Sequence, residues 1–322
     1  MKRLLLTGGT GFIGSALLHR LLGEGEWEVM AAVRRSSDKP LPSGCTPLLI
    51  SDMGDANAWD GCNMQAVQCV VHCAAKVHDS GPLTREVEAE YRRVNAEGTM
   101  ALARKALAAG VRRFVYISTV KVYGAASREG EPFCAEDEAR PEDSYAASKL
   151  AGERALRSVA AGTQMEVVIV RPVLVYGPGV KANFASMLRW VYRGVPLPLG
   201  AISNRRSLVA IDNLVDLIVT CLVHPGAANE IFLVSDNDDL STPELIRRTA
   251  MALGRGANLL PVPPLLLTLG ARLAGKPQIA MRLMESLQVD IAKTQNRLGW
   301  QPPVTMEHAL RRTAAAFLEK PS

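Results

Sequence analysis

Aromatic residues make up only 5% of this 322-residue chain, and acids and bases nearly balance, leaving a net charge of +5. Its short, scattered Arg/Lys runs lack interleaved aromatics, so nothing marks a nucleic-acid binder. Six cysteines, at 45, 62, 69, 73, 134 and 221, follow no disulfide or metal spacing. Cys69-Val-Val-His72-Cys73 lies in an apolar, strand-like run, where small buried side chains explain it better than a metal. No metal is expected, and reduced cysteines point to the cytoplasm. The first strand leaves no room for a signal peptide ahead of it. Long apolar runs are also missing. Leu259 to Ala274 is interrupted by Pro261, Pro263 and Pro264, and falls short of the ~20 residues that span a bilayer. A core or dimer helix is expected there. An interfacial helix edged by Arg272 and Lys276, with weak membrane-surface contact, is the alternative. There is no internal repeat or low-complexity linker. Hydrophobic residues, at 48%, suffice for one large α/β domain or two coupled ones.

What is present begins with Thr7-Gly8-Gly9-Thr10-Gly11-Phe12-Ile13-Gly14, directly after Leu4-Leu5-Leu6. The leucines read as a short buried strand, and Ile13 to Leu22 is apolar at helical spacing. Gly8, Gly11 and Gly14 therefore fall on a strand-to-helix turn. Glycine there lets backbone approach a pyrophosphate, which the helix N-terminus then faces. Glu28 to Val33 reads as the next strand and ends in Arg34-Arg35-Ser36-Ser37. An acid about 20 residues past the glycines would bind the ribose 2′-hydroxyl of NAD. Two arginines stand there instead and suit a 2′-phosphate, so NADP(H) is expected in preference to NAD(H).

Strand and helix signals keep alternating. Thr46 to Ile50 is a strand ending at Asp52-Met53, placed to flank an adenine. Cys69 to His72 is another, and Cys73, Ala74 and Ala75 after it would let backbone pass close to the cofactor. A helical stretch from 84 to 109 contains Asn95; Arg113 to Ser118 is a strand; Tyr145 opens a helix; Glu166 to Val170 closes at Arg171-Pro172. This alternation means a doubly wound parallel sheet with its ligand at the carboxyl ends of the strands. In Tyr145-x-x-x-Lys149 the two side chains share one helix face. Lys149 is expected to lower the tyrosine pKa and to bond a nicotinamide ribose. Tyr145 would then exchange a proton with a substrate oxygen as hydride moves at carbon, and Thr119, or Ser118 beside it, would bond the same oxygen.

With these residues the chain resembles the extended short-chain dehydrogenase/reductases of the NAD-dependent epimerase/dehydratase family. The motifs are Thr7 to Gly14, His72-Cys-Ala-Ala75, Tyr116-Ile-Ser-Thr-Val-Lys-Val-Tyr-Gly124, Tyr145-x-x-x-Lys149 and Arg171-Pro-x-x-x-Tyr-Gly-Pro-Gly179. The resemblance implies an α/β Rossmann fold with a smaller, discontinuous C-terminal substrate lobe. Residues 1–171, with about 207–230 returning, form the Rossmann body; 172–206 and 231–322 form the lobe. It implies Thr119, Tyr145 and Lys149 as the catalytic set. The cofactor set is Gly8, Thr10, Gly11, Phe12, Ile13, Gly14, Arg34, Arg35, Asp52, Met53, Cys73, Ala74, Ala75, Val77, Asn95, Ser118, Tyr145, Lys149, Pro172 and Val175. Asn183 and Arg206 would hold a nucleotide sugar, with Thr119 and Lys121 also near substrate. A homodimer through the helices at 84–109 and 143–161 is implied as well.

Within the family, segments such as Asn204 to Asp216, Leu260-Pro-Val-Pro263 and Ser286 to Asp290 are similar to bacterial 4-ketoreductases. Those enzymes reduce a UDP-linked 4-keto-6-deoxy-N-acetylhexosamine for cell-surface polysaccharide, O-antigen included. An NADPH-dependent 4-ketoreductase is thus the expectation, and a 4-epimerase with bound NAD the alternative. The family's sugar dehydratases carry an Asp-Glu pair after the catalytic threonine. Val120-Lys121 stands here, which argues against dehydration. A cofactor-sensing protein without turnover would have lost Tyr145 or Lys149, and both are present.

Overall fold

Leu4, Leu5 and Leu6 become the centre of a sheet. The computed structural model describes residues 2–34, 40–77, 84–273, 281 and 283–319. Strand β1 (Lys2–Thr7) pairs in parallel with β2 (Trp27–Arg34) on one side and β4 (Val67–His72) on the other. None of the three leucines has exposed surface. A strand covered on both faces reads as an unbroken apolar run, not an alternation. Beyond β2 lies β3 (Thr46–Ile50); beyond β4 come β5 (Arg113–Ile117), β6 (Glu166–Pro172) and β9 (Ile231–Val234), all parallel. The order is β3-β2-β1-β4-β5-β6-β9.

Successive side chains of a strand face opposite sides, so β1 feeds two cores. Leu4 and Leu6 join Leu17 and Leu18 of α1 (Phe12–Glu24) and Leu214, Leu217 and Ile218 of α6 (Ile211–Val223). Leu5 joins Leu102 and Ala106 of α3 (Gly98–Ala108) and Leu156 of α4 (Ser144–Ala160). Helices on both faces and a reversal of strand order at β1/β4 make a doubly wound sheet, with its crevice outside the carboxyl ends.

A third core builds the lobe. It packs Phe184 and Leu188 of α5 (Ala182–Tyr192), Ile246 and Ala250 of α7 (Thr242–Ala252), and Ala309 and Leu310 of α10 (Met306–Glu319). Tyr176 of β7 (Leu174–Tyr176), which pairs with β8 (Leu208–Ala210), completes it.

Three expectations change. The last strand of the main sheet, Ile231–Val234, comes from the segment assigned to the lobe: Ile169 pairs with Ile231 and Pro172 with Val234. Helix α9 (Ala292–Leu298) follows it back, with Thr294 Oγ1 donating to Leu233 O at 2.7 Å. A four-residue apolar run carries no mark of which sheet it will join. The helical stretch at 84–109 is interrupted. After α2 (Arg85–Arg92), Arg93–Glu97 form a π-helical turn that carries Asn95. Finally, α8 (Pro264–Leu273) is no core helix, since Leu265 and Leu273 are 80% and 83% exposed. Among the described residues no helix is long and apolar enough to cross a membrane.

Candidate active site

The glycine turn closes on itself. Gly8 takes φ +72° and its carbonyl accepts the Gly11 N–H at 2.9 Å. A Cβ on Gly14 would lie 2.1 Å from Gly8 O, and one on Gly8 would lie 2.7 Å from Ala74 N. Helix α1 and the end of β4 are therefore pressed against the turn. Gly11 caps α1 without a side-chain bond, and no acid occupies the first turn. The first-turn N–H groups beside Thr10, Phe12 and Ile13 lack intrahelical acceptors and present the positive end of the helix to the crevice.

Arg34 ends β2, exposed, with its Cα paired to Ile50. Asp52, just beyond β3, accepts from Gly54 N at 2.8 Å and Arg93 Nη1 at 2.9 Å. Burial alone would raise its carboxyl; those two bonds, with the Arg93 and Arg34 charges, hold it below the usual range instead. Arg93 was not foreseen from sequence, because a 41-residue separation and a π turn join it to Asp52. Met53 is buried against α3, where a Cβ on Gly98 would meet its carbonyl. Arg35 lies outside the described residues.

At the end of β4 a hydrogen-bond chain locks the strand tips. Thr99 Oγ1 donates to Asn95 O at 2.8 Å, so it accepts from His72 Nε2 at 3.0 Å. His72 Nδ1 is then the acceptor of the Thr7 hydroxyl at 2.6 Å, and Thr7 Oγ1 accepts the Ala74 N–H at 3.2 Å. Burial, then the Lys149 charge, pushes the His72 pKa well below its usual value. The chain needs that neutral ring. Cys73, Ala74 and Ala75 follow, half-buried, and Val77 is exposed beyond them. Asn95 ties this loop to α4. It accepts from Lys76 N (2.8 Å) and donates to Lys76 O (3.0 Å) and Ser148 Oγ (2.9 Å).

Tyr145 and Lys149 occupy the first two turns of α4, which Asp143 caps by accepting Ala146 N–H at 2.7 Å. The Tyr145 ring meets Tyr91 edge-on at 6.1 Å, and Lys149 Nζ stands 4.0 Å over the Tyr116 ring. Thr119, half-buried after β5, accepts from Lys121 N at 3.3 Å and starts a single 3₁₀ turn. Lys121 Nζ meets Asp143 at 3.1 Å. Burial pulls Lys149 down to about 7, against the upward pull of Glu153 and the Cys73 thiol. Tyr145 is pushed up to about 12 by burial, Asp143 and Tyr91. The expected lowering of Tyr145 by Lys149 is therefore not found here, because the ammonium is itself desolvated and does not hold a full charge at neutral pH.

Beneath this pair lies a buried ion pair that sequence reasoning missed. Glu153 is bound by Arg171 through Nε (3.0 Å) and Nη2 (2.5 Å) and also accepts from Ser118 Oγ. Arg171 rests 4.7 Å over Tyr123. The ends of β5 and β6 are thus bolted to α4 directly under Thr119 and Pro172. A four-residue step from Lys149 to Glu153 on one helix face was the available signal. Pro172 is buried and Val175, in β7, half-buried. The lobe supplies the rest. Asn183 is exposed on the first turn of α5. Arg206 is half-buried, its backbone paired with Leu240 (N to O 2.8 Å). Burial lowers its guanidinium pKa although Glu285 opposes this.

The glycine turn follows β1 and the helix carrying Tyr145 and Lys149 lies between β5 and β6 of the same parallel sheet. A model of the NAD dependent epimerase/dehydratase family matches residues 4–235. The chain belongs to that family. It is 47% identical over 321 residues to a UDP-glucose 4-epimerase of Vibrio cholerae, covering 99% of this chain and 96% of that protein. Among solved structures it resembles the Bordetella bronchiseptica enzyme WbmG in complex with NAD and UDP (TM-score 0.76, 22% identity, 98% and 94% of the two chains). It also resembles a UDP-glucose 4-epimerase with UDP-glucose from Thermotoga maritima (TM-score 0.78, 21% identity, 99% and 100%). Family membership indicates a nicotinamide cofactor, and the turn itself tests the fit. Backbone fills the places of the Cβ atoms at Gly8 and Gly14, and α1 opens uncapped toward the crevice. The turn fits such a group, since backbone could approach a diphosphate closely there.

Proposed function

We propose that the protein is a nucleotide-sugar 4-epimerase that keeps its nicotinamide cofactor through the cycle. The observation that carries this is Tyr145 and Lys149 on one face of α4, beside Thr119 at the end of β5. The 47% identity to a UDP-glucose 4-epimerase supports it. The bound cofactor supplies reversible hydride acceptance. Thr119 holds the sugar's C4 oxygen, and Tyr145 takes its proton as that carbon is oxidised and returns it as the carbon is reduced. Lys149, drawn toward neutrality by burial, accepts the Tyr145 hydroxyl proton, so that a phenolate exists to take the sugar's proton, and returns it when the cycle closes. Arg206 and Asn183 hold the nucleotide from a lobe made of 172–206 and the segments after β9. Two copies pair through α2, α3 and α4, an expectation carried by family resemblance.

A second reading, NADPH-dependent reduction of a UDP-4-keto-6-deoxy-N-acetylhexosamine, is favoured by one observation. Arg34 ends β2 where an acid would bind NAD, and Asp52 nearby is already engaged by Arg93. One experiment separates the two. The purified protein is denatured and any released nucleotide identified, then native enzyme is given UDP-glucose, UDP-galactose and their N-acetyl forms. Released NAD with sugar interconversion and no net redox change is the expected result. NADPH consumption with the 4-keto sugar, lost in Tyr145→Phe, would replace it with the reductase. Neither activity would overturn both.

A further inference from the structure

Helix α8 runs Pro264-Leu-Leu-Leu-Thr-Leu-Gly-Ala-Arg-Leu273. Leu265, Leu269 and Leu273, spaced by four, form one stripe, exposed by 80%, 55% and 83%. Leu266 flanks it at 56%, and Leu260, just before the helix, at 45%. A solvent-facing stripe this apolar needs a partner, and the surrounding charge says which. Residues 245–284 contain Arg247, Arg248, Arg255, Arg272, Lys276 and Arg282 and no aspartate or glutamate. Arg248 pairs with Asp238 and Glu244 and Arg255 stacks over Tyr192; Glu129 is the acid that shares the cavity at Pro264, and in sequence the segment itself carries cations only. A second copy meeting this face about a two-fold axis would set the cations against themselves. An anionic lipid surface meets both the leucines and the charge.

We propose that α8 is a membrane-surface anchor that lies in the headgroup region of anionic bilayers. Its ten described residues make about 15 Å of helix, half the hydrocarbon thickness, and among the described residues no helix is long and apolar enough to cross a bilayer, so α8 is placed on the surface. Pro264, at its start, lines a cavity of about 620 Å³ together with Asn204 and Arg205, next in chain to Arg206. Docking therefore holds this lobe cavity at the membrane surface. The inference is independent of which sugar the enzyme turns over.

The test is flotation of the whole protein with vesicles of phosphatidylcholine alone and of phosphatidylcholine with phosphatidylglycerol, at low and high salt. Expected are co-flotation with the anionic vesicles at low salt and release at high salt. Arg272→Gln should weaken it roughly fivefold, the worth of one cation near such a surface. Leu265→Glu/Leu269→Glu/Leu273→Glu should abolish it with circular dichroism unchanged, because these side chains are already exposed. Wild type that stays with neither vesicle, or a triple variant that floats as well as wild type, overturns the proposal. So does a triple variant that turns a dimer into a monomer while wild type ignores vesicles; that result assigns the stripe to a second copy.

Discussion

Replacing Lys149 by methionine should abolish activity and, at neutral pH, make the protein more stable. Lys149 is 1% exposed, and burial draws its pKa from 10.5 to about 7. The unfolded chain carries an ordinary lysine. Between about pH 7 and 10.5 it binds a proton that the folded chain lacks, so stability falls as pH drops through that window. Below about 7 both states are protonated and the penalty is complete. At 1.36 kcal/mol per pH unit the full penalty is roughly 5 kcal/mol. At pH 7 itself, where half of the folded lysines are still neutral, it is about 4 kcal/mol. Methionine has similar length and no charge, leaving a net gain of roughly 3–4 kcal/mol near pH 7. Urea unfolding of both proteins, stripped of nucleotide, at several pH values checks this. The advantage should shrink by about 1.4 kcal/mol per pH unit as pH rises. A variant less stable at neutral pH, or an advantage that does not change with pH, would refute the reasoning.

Gly14→Ala puts a methyl 2.1 Å from Gly8 O, so the turn must open; nucleotide recovered from purified protein should fall at least ~10-fold, a loss of about 1.4 kcal/mol or more. Glu153→Ala leaves Arg171 buried without its carboxylate and should cost about 3–5 kcal/mol in chemical unfolding, much of it regained in Glu153→Leu/Arg171→Met. Tyr145→Phe should lower kcat by roughly 10²–10⁴ through loss of the proton carrier, while nucleotide content stays at the wild-type level. Arg34→Ala should leave NAD affinity within about twofold if the 2′-hydroxyl is recognised elsewhere, and weaken NADP at least ~10-fold if Arg34 holds a 2′-phosphate; equal effects on both would remove Arg34 from the cofactor set.

Legibility followed the range of the interactions involved. The turn from Gly8 to Gly14 could be read because its steric demand is local, as could the four-residue step from Tyr145 to Lys149. The sheet's alternation was equally visible, down to strand ends within a residue or two. Asp52 with Arg93, Ser118 with Glu153 and Arg171, and His72 between Thr7 and Thr99 could not be read, because each joins segments tens of residues apart. The destination of Ile231–Val234 and the exposure of α8 were hidden for a related reason. An apolar run announces that it wants cover but not which surface supplies it.

The sequence by itself determined the alternation of strands and helices through β6 and the placing of chemistry at strand ends. Periodicity, glycine sterics and turn-length spacing act within a few residues, and those are properties of the chain. Only the tertiary structure decided that β1 lies between β2 and β4, that Glu153 meets Arg171, and that burial draws Lys149 toward neutrality while raising Tyr145. Desolvation and charge pairing depend on which distant segments close over a group, and that closure exists only in the folded protein.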